Sequence, residues 1–131
     1  MKASALPGGE LEYAVLTALW ELGSATPRDV HERVGEPKGL VYTTTAKVLD
    51  RLREKGLVSR RRSGRAFVHM PRVTREVIEQ GRAKDAVRRM LGDKPRPAMA
   101  ALVDAVEAVD PELLGELQRL VLARRRGRHG S

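Results

Sequence analysis

The chain has 131 residues, enough for one compact domain, or a small domain with a helical appendage, around one modest core, which excludes a large two-domain enzyme. Hydrophobic residues make up 41%, aromatic residues only 3% and charged residues 32%, so the core must be built from Leu, Val and Ala, a composition that favours helices. Twenty-five Lys and Arg against 17 Asp and Glu give a net charge of +8, and the absence of cysteine excludes disulfides, thiolate metal sites and thiol nucleophiles.

The start, MKASALPGGELEYAVL, holds no long apolar run, so neither a signal peptide nor a transmembrane span is expected and the reading is a cytoplasmic protein. From Glu10 to Leu22, apolar residues at Leu11, Ala14, Val15, Ala18, Leu19 and Leu22 form the stripe of an amphipathic helix that Gly23 ends. Thr26 has the character of an N-cap, with Pro27 at the first helical position and Asp29 three residues after the cap. This opens a short helix to about Val34, which Gly35, Pro37 and Gly39 close. In LVYTTTAKVLDRLREKG, Val41, Thr45, Val48, Leu49 and Leu52 share one face of a third helix and Gly56 is its C-terminal cap. Leu57 to Arg62 and Ala66 to Met70 read as strands of a hairpin turned at Ser63, Gly64 and Arg65 and stopped by Pro71.

Beyond the hairpin, Val73 to Leu91 reads as a polar helix that Pro95 and Pro97 break. Two further helices follow, around Ala98 to Ala108 and Pro111 to Arg125, and the tail ARRRGRHGS is expected to fray. Leu102, Val106, Leu113, Leu114, Leu117, Leu120 and Val121, with Met99 and Val103, make an apolar stripe too large for one helix to hide. A second copy of the chain would cover it, so a homodimer is expected; the alternative is that these helices fold back on the N-terminal part. The expected fold is mainly α with a small β-hairpin wing. It divides into a winged helix-turn-helix over residues 1–72 and C-terminal dimerisation helices with a basic tail over 73–131.

Charge is unevenly spread. Lys47 to Arg75 holds ten Lys or Arg against two acidic residues, whereas Ala98 to Leu120 holds one Arg and five acidic residues. The basic segment is the footprint expected for a polyanion, and a solvated basic face is the alternative. The outward face of the third helix presents Tyr42, Thr43, Ala46, Lys47 and Asp50, flanked by Thr44 and Arg51. Thr hydroxyls and methyls and the Lys47 ammonium are groups that read base edges in a major groove. On the hairpin, period-two alternation sends Arg60 and Arg62 one way and Arg61 the other, and Arg65 at the tip is placed for a backbone or minor groove. Arg28 and Lys38 are further candidates for phosphate contact. His31, His69 and His129 lie on separate elements without ligand spacing, and no nucleophile elbow, P-loop or dinucleotide fingerprint occurs. No catalytic residue, metal or cofactor is therefore expected.

The run Tyr42, Thr43, Thr44, Val48, Leu49, Arg51, Leu52, then Lys55, Gly56, Leu57, Val58, and Gly64 and Arg65 before a strand ending in Pro71, resembles the penicillinase repressor family, also called the BlaI/MecI/CopY family. GELEYAVLTALWELG, including Trp20, is similar to the family's first helix, and TPRDVHERV to its second. The resemblance implies a bacterial winged-helix repressor that dimerises through C-terminal helices on a palindromic duplex-DNA operator. It puts Thr43, Thr44 and Lys47 at the bases and Arg51 and Arg65 near phosphates; Tyr42 and Arg61 are further expected DNA-binding residues. The β-lactam-responsive members are cut at an Asn-Phe bond and the copper-responsive members carry paired C-x-C motifs, but this chain has neither asparagine nor cysteine. Release would then need another cut by a regulatory protease, a small inducer, or a partner protein. The rival readings are a winged-helix protein-interaction module and a small hydrolase or transferase.

Overall fold

The computed structural model describes residues 6–129. They group into two compact units, the first ending at Lys84 and the second starting at Asp85.

In the first unit the Glu10–Leu22 stripe forms α1, burying Val15, Leu16, Ala18 and Leu19. It stops at Gly23, whose φ of 82° suits a residue without a side chain and whose N–H returns to Leu19 O at 2.8 Å. The expected capping box opens α2: Thr26 Oγ1 accepts from the Asp29 N–H at 3.1 Å and Asp29 Oδ2 from the Thr26 N–H at 3.1 Å. α2 itself covers only Pro27–Val30, then widens into a π turn at His31–Gly35 and tightens into a 3₁₀ turn at Glu36–Lys38. A segment this short has no stability of its own in water. Its cap and the burial of Val30 and Val34 hold it in place.

α3, Tyr42–Glu54, buries Thr45, Val48, Leu49 and Leu52. Val41, expected on that face, is instead 65% exposed, because it is the extended N-cap residue (φ −83°, ψ 156°) and the helical period begins only after it. At the other end Gly56, at φ 79°, donates to Arg53 O and Leu57 donates to Leu52 O, both at 3.0 Å. This is the paired hydrogen bonding of a Schellman cap. It turns the chain straight into β1, Val58–Ser63, which pairs antiparallel with β2, Ala66–Pro71. The loop is shorter than the sequence suggests. Ser63 already pairs with Ala66, leaving Gly64 and Arg65 as the two turn residues, with Gly64 at φ 63° as a type II′ hairpin loop requires. A lone hairpin is marginal in water. Here Leu57 and Val58 enter the core, and Ala25 exchanges both backbone hydrogen bonds with His69, at 2.9 and 2.7 Å.

Past the hairpin, Thr74 Oγ1 caps α4 (Arg75–Leu91) by accepting from the Val77 N–H at 3.2 Å. Val73 lies outside the helix and, with Ile78, is buried in the core of the first unit. The indole N–H of Trp20 donates to Val73 O at 2.9 Å, Tyr13 O–H donates to Glu79, and Arg82 lies 3.9 Å from the Tyr13 ring centroid. The first part of α4 therefore closes over α1.

In the second unit Asp85 pairs with Arg88 and Arg89 one turn on. Pro95 and Pro97 do not lie between helices: they sit in the first turn of α5, Pro95–Val109, where a missing N–H removes no intrahelical bond. Asp110 Oδ1 accepts from the Glu112 N–H at 3.0 Å at the start of α6, Glu112–His129. The tail expected to fray is helical through His129; its last two residues lie outside those described. No helix among the described residues is long and apolar enough to cross a membrane.

Glu12, in the first turn of α1, is 8% exposed. Its Oε1 accepts from Lys55 Nζ at 2.7 Å and the Gly8 N–H at 2.8 Å, and its Oε2 from Arg51 Nε at 3.3 Å. Burial by itself would raise its pKa, but the Lys55, Gly8 and Arg51 hydrogen bonds together hold the carboxyl below its ordinary range. Because the unfolded chain takes up this proton at higher pH than the native state, the stabilisation is present above the unfolded value of 4.5 and is lost as pH falls through the native one. Glu12→Gln is expected to cost about 1–3 kcal/mol at neutral pH and to flatten the acid limb of the stability profile. Denaturant melts across that range check it, and an unaltered limb would remove Glu12 as its source.

Candidate nucleic-acid interface

α3 is divided by burial. Behind Thr45, Val48, Leu49 and Leu52, all in the core, its opposite side leaves Tyr42, Thr43, Lys47, Asp50 and Arg51 exposed and Thr44 and Ala46 half-buried. The sequence placed these residues on one face, and they do lie together. No side chain among the described residues caps the first turn of α3, so its leading N–H groups and the positive end of its dipole face outward.

Tyr42 is held from two sides. The His31 ring meets it edge-on, centroids 5.7 Å apart at 81°, and the Arg28 guanidinium lies 5.7 Å from its ring centroid. His31 is in turn fixed by a 2.8 Å hydrogen bond between its Nδ1 and Thr45 Oγ1 on the buried side of α3. Gly35 makes this possible: the π turn brings its Cα so close that a Cβ there would overlap both His31 Nδ1 and Thr45 Oγ1. Arg28 thus stands beside the exposed face of α3, and Lys38 is exposed on the 3₁₀ turn.

On the hairpin, register puts Arg60 opposite His69 and Arg62 opposite Phe67 on the side facing the core, and Arg61 opposite Val68 on the other. Arg60 and Arg62 lie 4.0 and 5.4 Å from the Phe67 ring centroid, so two of the three consecutive arginines are drawn onto an aromatic ring. Arg61 and the tip residue Arg65 are exposed. Arg51 is half-exposed, with its Nε on Glu12. His69 is only 2% exposed and its Nδ1 has no hydrogen-bond partner among the described residues. Burial first, then the charges of Arg60 and Arg53, push its pKa below 6.5, against a weaker pull from Asp50.

In the second unit Leu102 and Val106 on α5 and Leu113, Leu114 and Leu117 on α6 are half-buried where the two helices pack, while Leu120 and Val121 are 65% and 48% exposed. Met99, Val103 and Leu122 are also exposed. Among the described residues no cluster of three or more His, Asp or Glu is arranged to hold a metal ion.

The family model described as penicillinase repressor matches residues 8–123. The chain belongs to the penicillinase repressor family. It is 36% identical over 124 residues to the transcriptional regulator BlaI of Mycobacterium tuberculosis H37Rv, covering 94% of this chain and 88% of that protein. An uncharacterised 16.5 kDa protein of Latilactobacillus sakei is 24% identical over 113 residues, covering 86% and 77%. Among solved structures, that of the DNA-binding domain of the repressor BlaI covers 55% of this chain and 89% of its own at 23% identity, with a TM-score of 0.49. The PcaV regulator of Streptomyces coelicolor covers 89% and 76% at 27% identity, with a TM-score of 0.47. This member of the penicillinase repressor family is a transcriptional repressor with a DNA-binding winged-helix fold, and not an enzyme. Sequence reasoning missed two supports of the repressor's α3: the Glu12 bridge, whose partners lie 39 and 43 residues away, and the packing of His31, Gly35 and Thr45.

Proposed function

We propose that this repressor acts as a homodimer on a palindromic operator, reading bases with Tyr42, Thr43, Thr44 and Lys47 and holding phosphates with Arg51, Arg61 and Arg65. One observation carries the reading: a small, polar-to-basic face on α3, exposed directly behind a face sunk in the core, with an arginine-tipped hairpin following it. We assign recognition to residues 1–72 and pairing to 73–131, the first part of α4 bracing the recognition unit. Leu102, Val106, Leu113, Leu114, Leu117, Leu120 and Val121 would form the pairing surface, which the exposed apolar residues of α5 and α6 support. A twofold dimer would place its two α3 helices about 34–36 Å apart, one turn of DNA, or a multiple of that. A duplex-DNA target places the protein in the cytoplasm, and its release falls to an inducer or regulatory protease outside the asparagine and cysteine chemistries the chain lacks.

Titration of duplex DNA at rising salt tests the reading. Affinity should fall steeply, with a slope near −0.9 per phosphate neutralised, and one sequence should stay preferred. Flat, sequence-blind binding would point to the protein-interaction reading instead. Leu117→Asp should abolish pairing, since a carboxylate in an apolar seam loses its hydration. Sedimentation showing an intact dimer would place the interface elsewhere.

A further inference from the structure

Between the start of α2, the first two turns of α3 and the hairpin lies a groove of about 570 Å³, within the range of roughly 300–1,000 Å³ usual for small-molecule sites. Its lining has two characters. Ala46, Leu49 and the rings of Tyr42 and Phe67 give it an apolar floor and aromatic walls, and Arg28, Arg60 and Arg65 give it cations. Asp50 is the one carboxylate in the lining, and Arg53 already pairs with it at 3.2 Å. His69, almost wholly buried and with no hydrogen-bond partner for its Nδ1 among the described residues, completes the wall. A sugar-phosphate backbone would use the arginines but not the apolar floor of Ala46 and Leu49, whereas a flat ring carrying a carboxylate would use both. The ring would stack against Tyr42 or Phe67, and the carboxylate would take charge-assisted hydrogen bonds from guanidinium groups already drawn to those rings.

We propose that this groove binds a small monocyclic aromatic carboxylate and that its occupancy excludes DNA. The exclusion rests on the DNA-binding reading above, because Tyr42 and Arg65 line the groove and are also assigned to DNA. The binding does not.

The test uses the full chain with benzoate and para-hydroxybenzoate as probes and acetate as the control for charge, all at constant ionic strength. Amide spectra of the DNA-free protein should shift saturably at Tyr42, Ala46, Phe67 and His69 with the aromatic acids and not with acetate. Arg60→Gln and Phe67→Leu should each weaken this binding about tenfold, the loss of one charge-assisted contact or one ring face. If either variant loses its native spectrum, the other carries the comparison. In a separate titration, saturating benzoate should weaken operator binding at least tenfold and acetate should not. Shifts that are absent, common to acetate, or confined to α5 and α6 would overturn the site, and groove binding without loss of DNA affinity would overturn the exclusion. A protein that binds benzoate in the groove but no DNA in its absence would instead locate the failure in the DNA-binding reading.

Discussion

Gly35→Ala is expected to destabilise the recognition unit by about 1–3 kcal/mol, the usual cost of forcing an extra carbon into a packed core. Gly35 has φ −74°, a value open to any residue, so backbone strain plays no part. The cost comes from the new Cβ, which meets His31 Nδ1 and Thr45 Oγ1 at once. Neither neighbour can yield freely: they are hydrogen-bonded to each other, and Thr45 is 1% exposed. A domain of this size loses roughly 4–8 °C of melting temperature per kcal/mol, so the shift is large enough to read by thermal melting. His31→Ala in the Gly35→Ala background should recover part of the loss, making the two changes less than additive. Strict additivity would show that the alanine methyl does not meet the imidazole. Because the His31 ring also supports Tyr42, Gly35→Ala should weaken DNA binding beyond what the fraction of folded protein explains.

Lys47→Ala and Arg65→Ala should both weaken operator binding but leave different signatures. Lys47 lies on the exposed side of α3, one turn beyond Thr43, with its ammonium set at base edges in the proposed reading. Its loss should cost about 1–3 kcal/mol and reduce discrimination at the base pairs it faces. Arg65 occupies the two-residue turn beside Gly64 and is assigned to the DNA backbone in the proposed reading. Its loss should weaken cognate and random duplexes alike and lower the salt slope by about one. Competition binding on cognate and scrambled duplexes at several salt concentrations separates the two. If neither variant binds more weakly, the assignment of α3 and the hairpin tip to DNA fails.

The parts of the fold readable in the sequence are those set by neighbours in the chain. The capping box of Thr26 and Asp29, the stop at Gly23, the cap at Gly56 and the buried stripe of α3 each depend on residues within about one turn, and each is found. The errors share a cause. Val41 fits the spacing of α3 but precedes its first turn, and spacing does not say where a helix starts. Pro95 and Pro97 can end a helix or begin one, and only the position of the preceding Gly92 to Lys94 break decides between them. Supports of the candidate site that depend on the fold were not readable. The imidazole of His31 reaches Thr45 only because the chain widens into a π turn, and Glu12 finds Lys55 and Arg51 only after α1 and α3 have packed. The candidate DNA-facing residues were readable for the opposite reason: polar residues on a solvent face need only the helical period to place them together.

Trp20 is the chain's only tryptophan, and its indole is fixed to Val73 O where the hairpin gives way to α4, edge-on to Tyr13 and beneath Arg75. The first unit thus holds the single tryptophan fluorophore, and α5 and α6 carry no tryptophan or tyrosine. Emission from Trp20 will report melting of the recognition unit, whereas far-ultraviolet ellipticity sums every helix. Coincident transitions would mean that the whole chain folds as one cooperative body. Separated ones would resolve the melting of the C-terminal helices without any added label.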